Sequence, residues 1–145
     1  NTTRVYRHAA QCAKDPEKTA RFLPFWRSEL DLVNHRPYTA DLFNEFKGME
    51  FTGTPYVKKA VFMGYRCSAG PDATRCMVKA YNPVRQNDRL DAIYPIDGDN
   101  VLDSEVVVEE ISCDGSPVSM ARPGTTAMIR FDRAVGEYAI FRSRA

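Results

Sequence analysis

Apolar residues in the first third of the chain follow a helical period. The positions with the i, i+4, i+7, i+8 spacing of one helix face are Val5, Ala9, Cys12 and Ala13. Asp15-Pro16 then interrupts the pattern, because Asp is a good N-cap and Pro suits a first helical position. This part of the sequence predicts two or three helical segments.

A second proline, Pro24, predicts a further helix start, because proline inside a helix lacks a backbone donor and clashes with the preceding turn. The predicted helix runs from Pro24 to about Val33. Its apolar face comprises Trp26, Leu30 and Val33. Arg36 precedes a proline and is biased toward extended geometry, so the helix should stop by Asn34.

From about Pro55 the apolar period changes to two, which is typical of β-strands. One face of the first predicted strand comprises Val57, Val61, Met63, Tyr65 and Cys67, and the other comprises Lys58, Phe62 and Arg66. The inward positions of the next two strands are Cys76, Val78 and Ala80, followed by Leu90, Ala92 and Tyr94. Further strands are predicted within 105–113, 117–121, 126–131 and 137–143.

Turn signals separate most of these strands. Asp114-Gly115 fits a tight hairpin, because the turn needs positive φ and glycine adopts it at little cost. About seven short strands with such turns predict a small antiparallel β-barrel, closed or nearly closed, after a helical arm. The predicted boundaries are 1–48 for the helical arm and linker, and 49–145 for the barrel.

Composition limits the function classes. The 145 residues are 43% hydrophobic and 27% charged, an ordinary globular balance. A protein that binds nucleic acid mainly by neutralising phosphates usually has a clear excess of basic residues, whereas the net charge here is +1. The sequence still allows a local basic patch. No apolar run approaches the roughly 20 residues that span a bilayer, and no signal peptide opens the chain. The first residue is Asn, which suggests a piece of a larger protein or a mature product.

Cysteine usage indicates a reduced, cytoplasmic setting. The four cysteines are sparse and contain no C-x-x-C pair, so neither a zinc knuckle nor a thioredoxin-type site is encoded. If the first hairpin pairs symmetrically, Cys67 and Cys76 lie opposite each other. They are then packed thiols, a disulfide or, least favoured, metal ligands.

The order of these features resembles a known family. The stretch 29–39, "ELDLVNHRPYT", is similar to Glu-Leu-x-x-Val-Ser-His-Arg-x-Tyr-Thr, and 81–95 is similar to Asn-Arg-Phe-x-x-Gly-Asp-x-Leu-Glu-x-x-x-Pro. The segments 59–66 and 136–143 resemble the first and closing barrel segments of the same family. Together, in order, these segments resemble the C-terminal part of peptidase family U32, the collagenase-like proteases.

The resemblance implies a barrel like the second domain of translation elongation factors. It also implies an upstream catalytic (β/α) barrel as the partner of this chain, with an iron–sulfur cluster in those family members that have one. Several relatives are RNA hydroxylases that modify a base in tRNA or ribosomal RNA, and others carry the protease name. We therefore expect an accessory domain with no catalytic residues and no cofactor of its own.

Two departures from the family pattern bear on the backbone. Residues 40–43, Ala-Asp-Leu-Phe, replace Thr-Gly-Phe-Tyr, and the missing glycine puts the usual path there in question. Asn87-Asp88 replaces Gly-Asp. Asparagine is the non-glycine residue best suited to left-handed geometry, so we expect this turn to survive.

The junction residues His35, Arg36 and Tyr38 are the first candidate contacts. They could face the upstream domain or its substrate, since an Arg fork suits phosphate or carboxylate and His can titrate or hydrogen-bond near neutral pH. The alternative, which we favour, is that His35 caps helix carbonyls and Arg36 braces an acidic neighbour.

Basic residues on the outer strands are the second group of candidates. This group comprises Lys58, Lys59, Lys79, Arg85 and Arg89, with Phe62 and Tyr81 expected on the surface that Lys58 and Lys79 share. Basic and aromatic side chains on a barrel face can hold single-stranded RNA by charge and stacking. The alternative is a solvated wall whose aromatic residues are covered by the helical arm, which the small net charge favours.

Other polar and aromatic groups have simpler interpretations. Glu105, Glu109 and Glu110 are expected to form a soluble edge that discourages strand association. The cluster of Phe22, Phe25 and Trp26 is expected to pack the arm onto the barrel, or to form an exposed surface through which the chain dimerises. No nucleophile, phosphate loop or metal-ligand set is evident in the sequence.

Overall fold

The computed structural model describes residues 2–33 and 59–144. The chain divides into two compact units, 1–60 and 61–145. The predicted boundary between residues 48 and 49 lies outside the described residues, as do His35, Arg36, Tyr38, Lys58 and the departure at 40–43. Within the described ranges, no helix is both long and apolar enough to cross a membrane.

The first unit contains two helices, α1 (Thr2–Cys12) and α2 (Pro16–Asp31). Asp15 caps α2, and its carboxylate accepts a hydrogen bond of 3.1 Å from the backbone N–H of Lys18. Pro16 occupies the first turn. The predicted start of this helix is therefore confirmed.

The predicted new helix start at Pro24 is wrong, because α2 continues through this residue to Asp31. Pro24 and Ala20 both lie on the exposed side of the helix. The Ala20 carbonyl, which loses its helical donor to the proline, can therefore be hydrated by water. The general rule that proline breaks a helix predicted an interruption at Pro24. The helix tolerates this proline because the position is exposed to solvent. The helix does end before Asn34, as expected.

The buried faces of the two helices meet through six residues. These are Val5, His8 and Cys12 on α1, and Phe22, Trp26 and Glu29 on α2. The face predicted for α1 omitted His8 and included Ala13, which is exposed. Phe22 and Trp26 are buried within this helical pair, with ring centroids 6.3 Å apart.

The second unit consists of short strands. Their bounds are β1 Ala60–Ala69, β2 Arg75–Ala80, β3 Val84–Arg85, β4 Arg89–Ile93, β5 Ser104–Cys113, β6 Ser116–Val118, β7 Met120–Ala121, β8 Thr126–Phe131 and β9 Ile140–Arg144. Hydrogen bonding follows the order β4-β9-β1-β2-β8-β5, and β5 also pairs with β4. The ring of six antiparallel strands is thereby closed, which confirms the predicted small barrel that follows a helical arm in the sequence. β6 extends β5 as a hairpin, and β3 pairs with β7 separately.

The barrel core is apolar and is centred on two stacked rings. Phe131 and Phe141 are fully buried, with centroids 5.0 Å apart. The predicted inward positions of the second and third strands are confirmed, since Cys76, Val78, Ala80, Leu90, Ala92 and Tyr94 are all buried. Burial of such side chains is the main favourable term in folding a unit of this size.

The predicted inward face of β1 is wrong after Met63. Tyr65 and Cys67 are exposed, although Val61 and Met63 do pack inward. At Gly64 the strand approaches β2 so closely that a Cβ atom would lie 2.2 Å from the Lys79 carbonyl oxygen. The regular alternation is lost around this glycine, and Cys67 then forms a bulge between two register pairs.

Two predicted turns are confirmed. Asp114 and Gly115 have φ values of 50° and 78°, which are those of a tight hairpin between β5 and β6. Asn87 has φ 70° in the turn that leads into β4, so it adopts the left-handed conformation expected where the family has glycine.

The acidic residues of β5 do not form an open edge. This strand pairs with β8 along one side and with β4 and β6 along the other. The carboxylates instead face arginines on the outside of the barrel, with Arg89 2.9 Å from Glu105 and Arg130 2.8 Å from Glu110. The prediction of an unpaired soluble edge is therefore wrong.

Candidate binding surface

Three exposed rings meet on the outer face of the barrel and form what we call the aromatic cluster, Phe62, Tyr65 and Tyr81. The ring centroid of Tyr81 lies 5.3 Å from that of Phe62 and 6.1 Å from that of Tyr65. The three residues are 40–52% exposed. Side chains that remain this accessible while contacting each other present a continuous apolar and π-electron surface to solvent.

The pairing of β1 with β2 assembles this cluster. Tyr65 lies directly opposite Lys79 in the register, and Tyr81 immediately follows the end of β2. The backbone N–H of Tyr81 donates to the Met63 carbonyl at 2.8 Å. The Asn82 side-chain amide donates to the Phe62 carbonyl at 2.7 Å. The rings are therefore fixed at a defined place on the strand pair rather than on a free loop.

Lys79 adds one positive charge beside the cluster. Cross-strand partners point to the same face, so the side chain of Lys79 lies next to that of Tyr65. Its Nζ donates to the Gly124 carbonyl at 2.6 Å. An ammonium has three donor hydrogens, so this bond leaves donor capacity for an anionic ligand.

The sequence had indicated only part of this surface. Lys79, Phe62 and Tyr81 were assigned to it from strand alternation. Tyr65 was missed, because the break at Gly64 turns it outward. Arg85 lies on β3, exposed, where it pairs with Met120 of β7.

A second charged constellation, which the sequence analysis missed, joins β4 to β9. Asp91 Oδ2 accepts hydrogen bonds of 2.8 Å from Nε of Arg142 and 2.8 Å from Nε of Arg144. Asp91 and Arg142 face each other in the register, and both side chains are largely buried. Burial opposes ionisation of Asp91, but the bonds from Arg144 and Arg142 outweigh it and hold its pKa below the ordinary value.

The cysteines of the barrel have different environments. Cys76 is buried in the core, and burial raises the pKa of its thiol to about 11. Cys67 lies exposed on the bulge, and its expected position directly opposite Cys76 is wrong because Ala69 occupies that place. Both thiols are free. In residues 2–33 and 59–144, no group of three His, Cys, Asp or Glu side chains is arranged to hold a metal ion.

Solved structures that are similar to this chain include two crystal structures of one domain. No family model matches this chain, and no curated protein matches it. One similar structure is the "C-terminal domain of Geobacillus thermoleovorans putative U32 peptidase", with 21% identity over 58% of this chain and 91% of that chain, at a TM-score of 0.45. The selenomethionine variant of that domain has 22% identity over 57% of this chain and 99% of that chain, at a TM-score of 0.48. The family given for these structures is the one that the sequence motifs resemble.

Proposed function

We propose that this chain is a non-catalytic accessory domain of a U32-type protein, and that the surface around the aromatic cluster positions an RNA substrate against an upstream catalytic barrel. In this proposal the chain works in the cytoplasm, and any iron–sulfur cluster belongs to the upstream part. The observation that carries the proposal is the aromatic cluster with Lys79 beside it.

The positions of the family-like segments support an origin in such a protein. The segment 81–95 contains β4, and the segment 136–143 contains all but the last residue of β9. These two strands are neighbours, and the ion pair of Asp91 with Arg142 links them. Asn87 takes the left-handed conformation where the family pattern has glycine. The residues that carry the resemblance therefore have consistent structural roles.

The chemistry of the cluster suits unpaired nucleotides. Every base has a flat π face that can stack on an aromatic side chain, at about 1–3 kcal/mol per base. A lysine ammonium beside the rings can contact the connecting phosphate. Because the net charge of the chain is only +1, the affinity should come more from stacking than from charge.

Titration of the chain with a single-stranded RNA and with tRNA tests this function. We expect binding that weakens only modestly between about 50 and about 200 mM salt, since few phosphates are neutralised. Tyr81→Ala should weaken binding by about 5-fold to 100-fold through the loss of stacking. Tyr6→Ala is the matched control, because Tyr6 is an exposed ring on α1, and this variant should bind as the parent sequence does. Absence of binding at low salt would contradict the proposal.

A second candidate function is docking of the domain on the upstream catalytic barrel for purely structural reasons. The net charge of +1 favours this alternative, because exposed rings with little charge also suit a protein surface. Truncation of the full protein after its catalytic barrel separates the two functions. Lost solubility with unchanged substrate affinity indicates docking, whereas lost substrate affinity indicates positioning.

A further inference from the structure

His8 is buried in the helical pair, where only 2% of its surface is exposed. Its ring is enclosed by two aromatic neighbours from α2, with centroid distances of 4.7 Å to Phe22 and 5.6 Å to Trp26. Both ring nitrogens have partners. The Trp26 indole Nε1 donates to His8 Nδ1 at 3.1 Å, and His8 Nε2 lies 3.5 Å from Cys12 Sγ.

The Trp26 bond determines the protonation state that fits this site. An indole N–H can only donate, so Nδ1 of His8 must accept and cannot carry a proton. The neutral ring then carries its hydrogen on Nε2, which points at the sulfur of Cys12. Protonation of Nδ1 would set two N–H donors against each other inside a buried interface, and would leave both without an acceptor there.

The charged groups at this interface do not compensate a positive imidazole. On α2, Glu29 is the acidic residue of the buried face, and Arg4 of α1 engages its carboxylate at 2.8 Å. Arg21 lies over the Phe22 ring, with its Cζ 5.0 Å from the centroid. Cys12 is the titratable group at Nε2. A new charge on His8 would therefore not find an unpaired carboxylate on the buried face of α2, where Glu29 is already bound to Arg4.

We infer that His8 makes the α1–α2 pair an acid-sensitive element, which is closed while the imidazole is neutral and loosens when Nδ1 is protonated. The imidazole is the group of this pair that would gain a proton on the nitrogen facing the Trp26 N–H, so the response is to acid. This inference is independent of the proposed RNA-binding function, because it involves neither the aromatic cluster nor the barrel.

Unfolding of the 145-residue chain by urea, followed by tryptophan emission, tests the inference, because Trp26 is the single tryptophan in the sequence. We expect the emission midpoint to shift to lower urea between about pH 8 and about pH 5. His8→Gln should remove this shift, since a glutamine amide oxygen can accept from Trp26 but does not titrate. Arg7→Gln is the matched control and should keep the shift, because it changes an exposed side chain of α1 and leaves the bond between His8 and Trp26 in place.

A midpoint that does not move on acidification, or a shift that survives in His8→Gln, would overturn the inference. If His8→Gln fails to fold, Trp26→Phe provides a second test through the helical circular dichroism signal. That variant lacks the opposing N–H donor, so its acid response should be smaller than that of the parent chain. An equal acid response in Trp26→Phe would also overturn the inference.

Discussion

At the scale of single residues, Asp91 shows how one carboxylate can hold two strands together. It accepts hydrogen bonds from Arg142 and Arg144 of β9 while facing Arg142 across the β4–β9 register. Arg142 is itself buried, so its charge needs this partner. The pair supports the barrel closure between the family-like segments 81–95 and 136–143.

Asp91→Asn should lower the free energy of unfolding by about 3 kcal/mol at pH 7, because it removes the carboxylate charge to which the buried Arg142 and its neighbour Arg144 are bound. The pKa of Asp91 is lowered in the folded state, so its ionised form stabilises the fold above about pH 4. This contribution fades as the pH falls through the lowered folded value. Urea unfolding at pH 7 and at a series of lower pH values should therefore show a variant effect that is largest at pH 7 and shrinks as the pH falls below about 4.

Glu105→Gln is the control for this prediction. Glu105 also pairs with an arginine, Arg89, but the two side chains are 56% and 73% exposed. Its removal should cost less than about 1 kcal/mol. An equal loss of unfolding free energy in Asp91→Asn and Glu105→Gln would show that burial does not increase the contribution of the Asp91 pair to stability.

The thiols of the barrel should differ in reactivity. Cys76 is buried and its thiol has a pKa raised to about 11, so about one molecule in a thousand carries the reactive thiolate at pH 8. Cys67 is exposed on the bulge of β1. Iodoacetamide labelling of the native chain at pH 8 should modify Cys67 at least 10-fold faster than Cys76, as measured by peptide mass spectrometry. Rapid labelling of Cys76 in the folded chain would contradict this structure of the core.

At the scale of elements, Pro24 shows that tertiary packing can override the local tendency of proline to end a helix. Proline disfavours the interior of a helix, yet α2 passes through it with the residue on the exposed side. The helix is therefore stabilised by its buried face rather than by propensity along its whole length.

Pro24→Ala should stabilise the helical unit by about 1–3 kcal/mol, because it restores a backbone donor and a residue of high helix propensity. Urea unfolding monitored by Trp26 emission measures the change. Pro16→Ala is the comparison, since Pro16 lies in the first turn, where the missing donor has no helical acceptor in any case. That variant should have little effect, and a loss of stability in Pro24→Ala would contradict the continuous helix.

The first strand shows a second departure from a local rule. Strict alternation places Tyr65 inside, but the close approach of β1 to β2 at Gly64 turns it outward beside Tyr81. The aromatic cluster thus depends on an irregularity that a period of two does not contain. The period of two correctly predicts Phe62 and Tyr81 on the outer surface, because both residues lie in stretches where the alternation is regular.

At the scale of the whole molecule, the barrel unit has its own core. The connected core residues run from Met63 to Phe141 and belong to the strands and connections of this unit. The six-strand ring closes through the pairing of β4 with β5, so each strand of the ring has a partner on both sides. These are the features of a unit that folds by itself.

A fragment of residues 59–145 should therefore fold without the helices. We expect a β-type circular dichroism spectrum and a single cooperative transition in urea. The same fragment with Val108→Asp is the negative control, because Val108 is fully buried and an unpaired charge there should abolish folding. A parent fragment that is as unfolded as this control would show that the barrel needs the first unit.

Local sequence patterns correctly predict the helices before the barrel, the inward faces of β2 and β4, and the turns at Asn87 and Asp114-Gly115. Each of these depends on contacts or backbone preferences within a few residues, which a local pattern contains. Long-range packing, by contrast, accounts for the continuity of α2, the outward turn of Tyr65 and the pairing of Asp91 with Arg142. They depend on which face of an element is solvated and on which distant strand lies beside it, and residue spacing along the chain does not specify either.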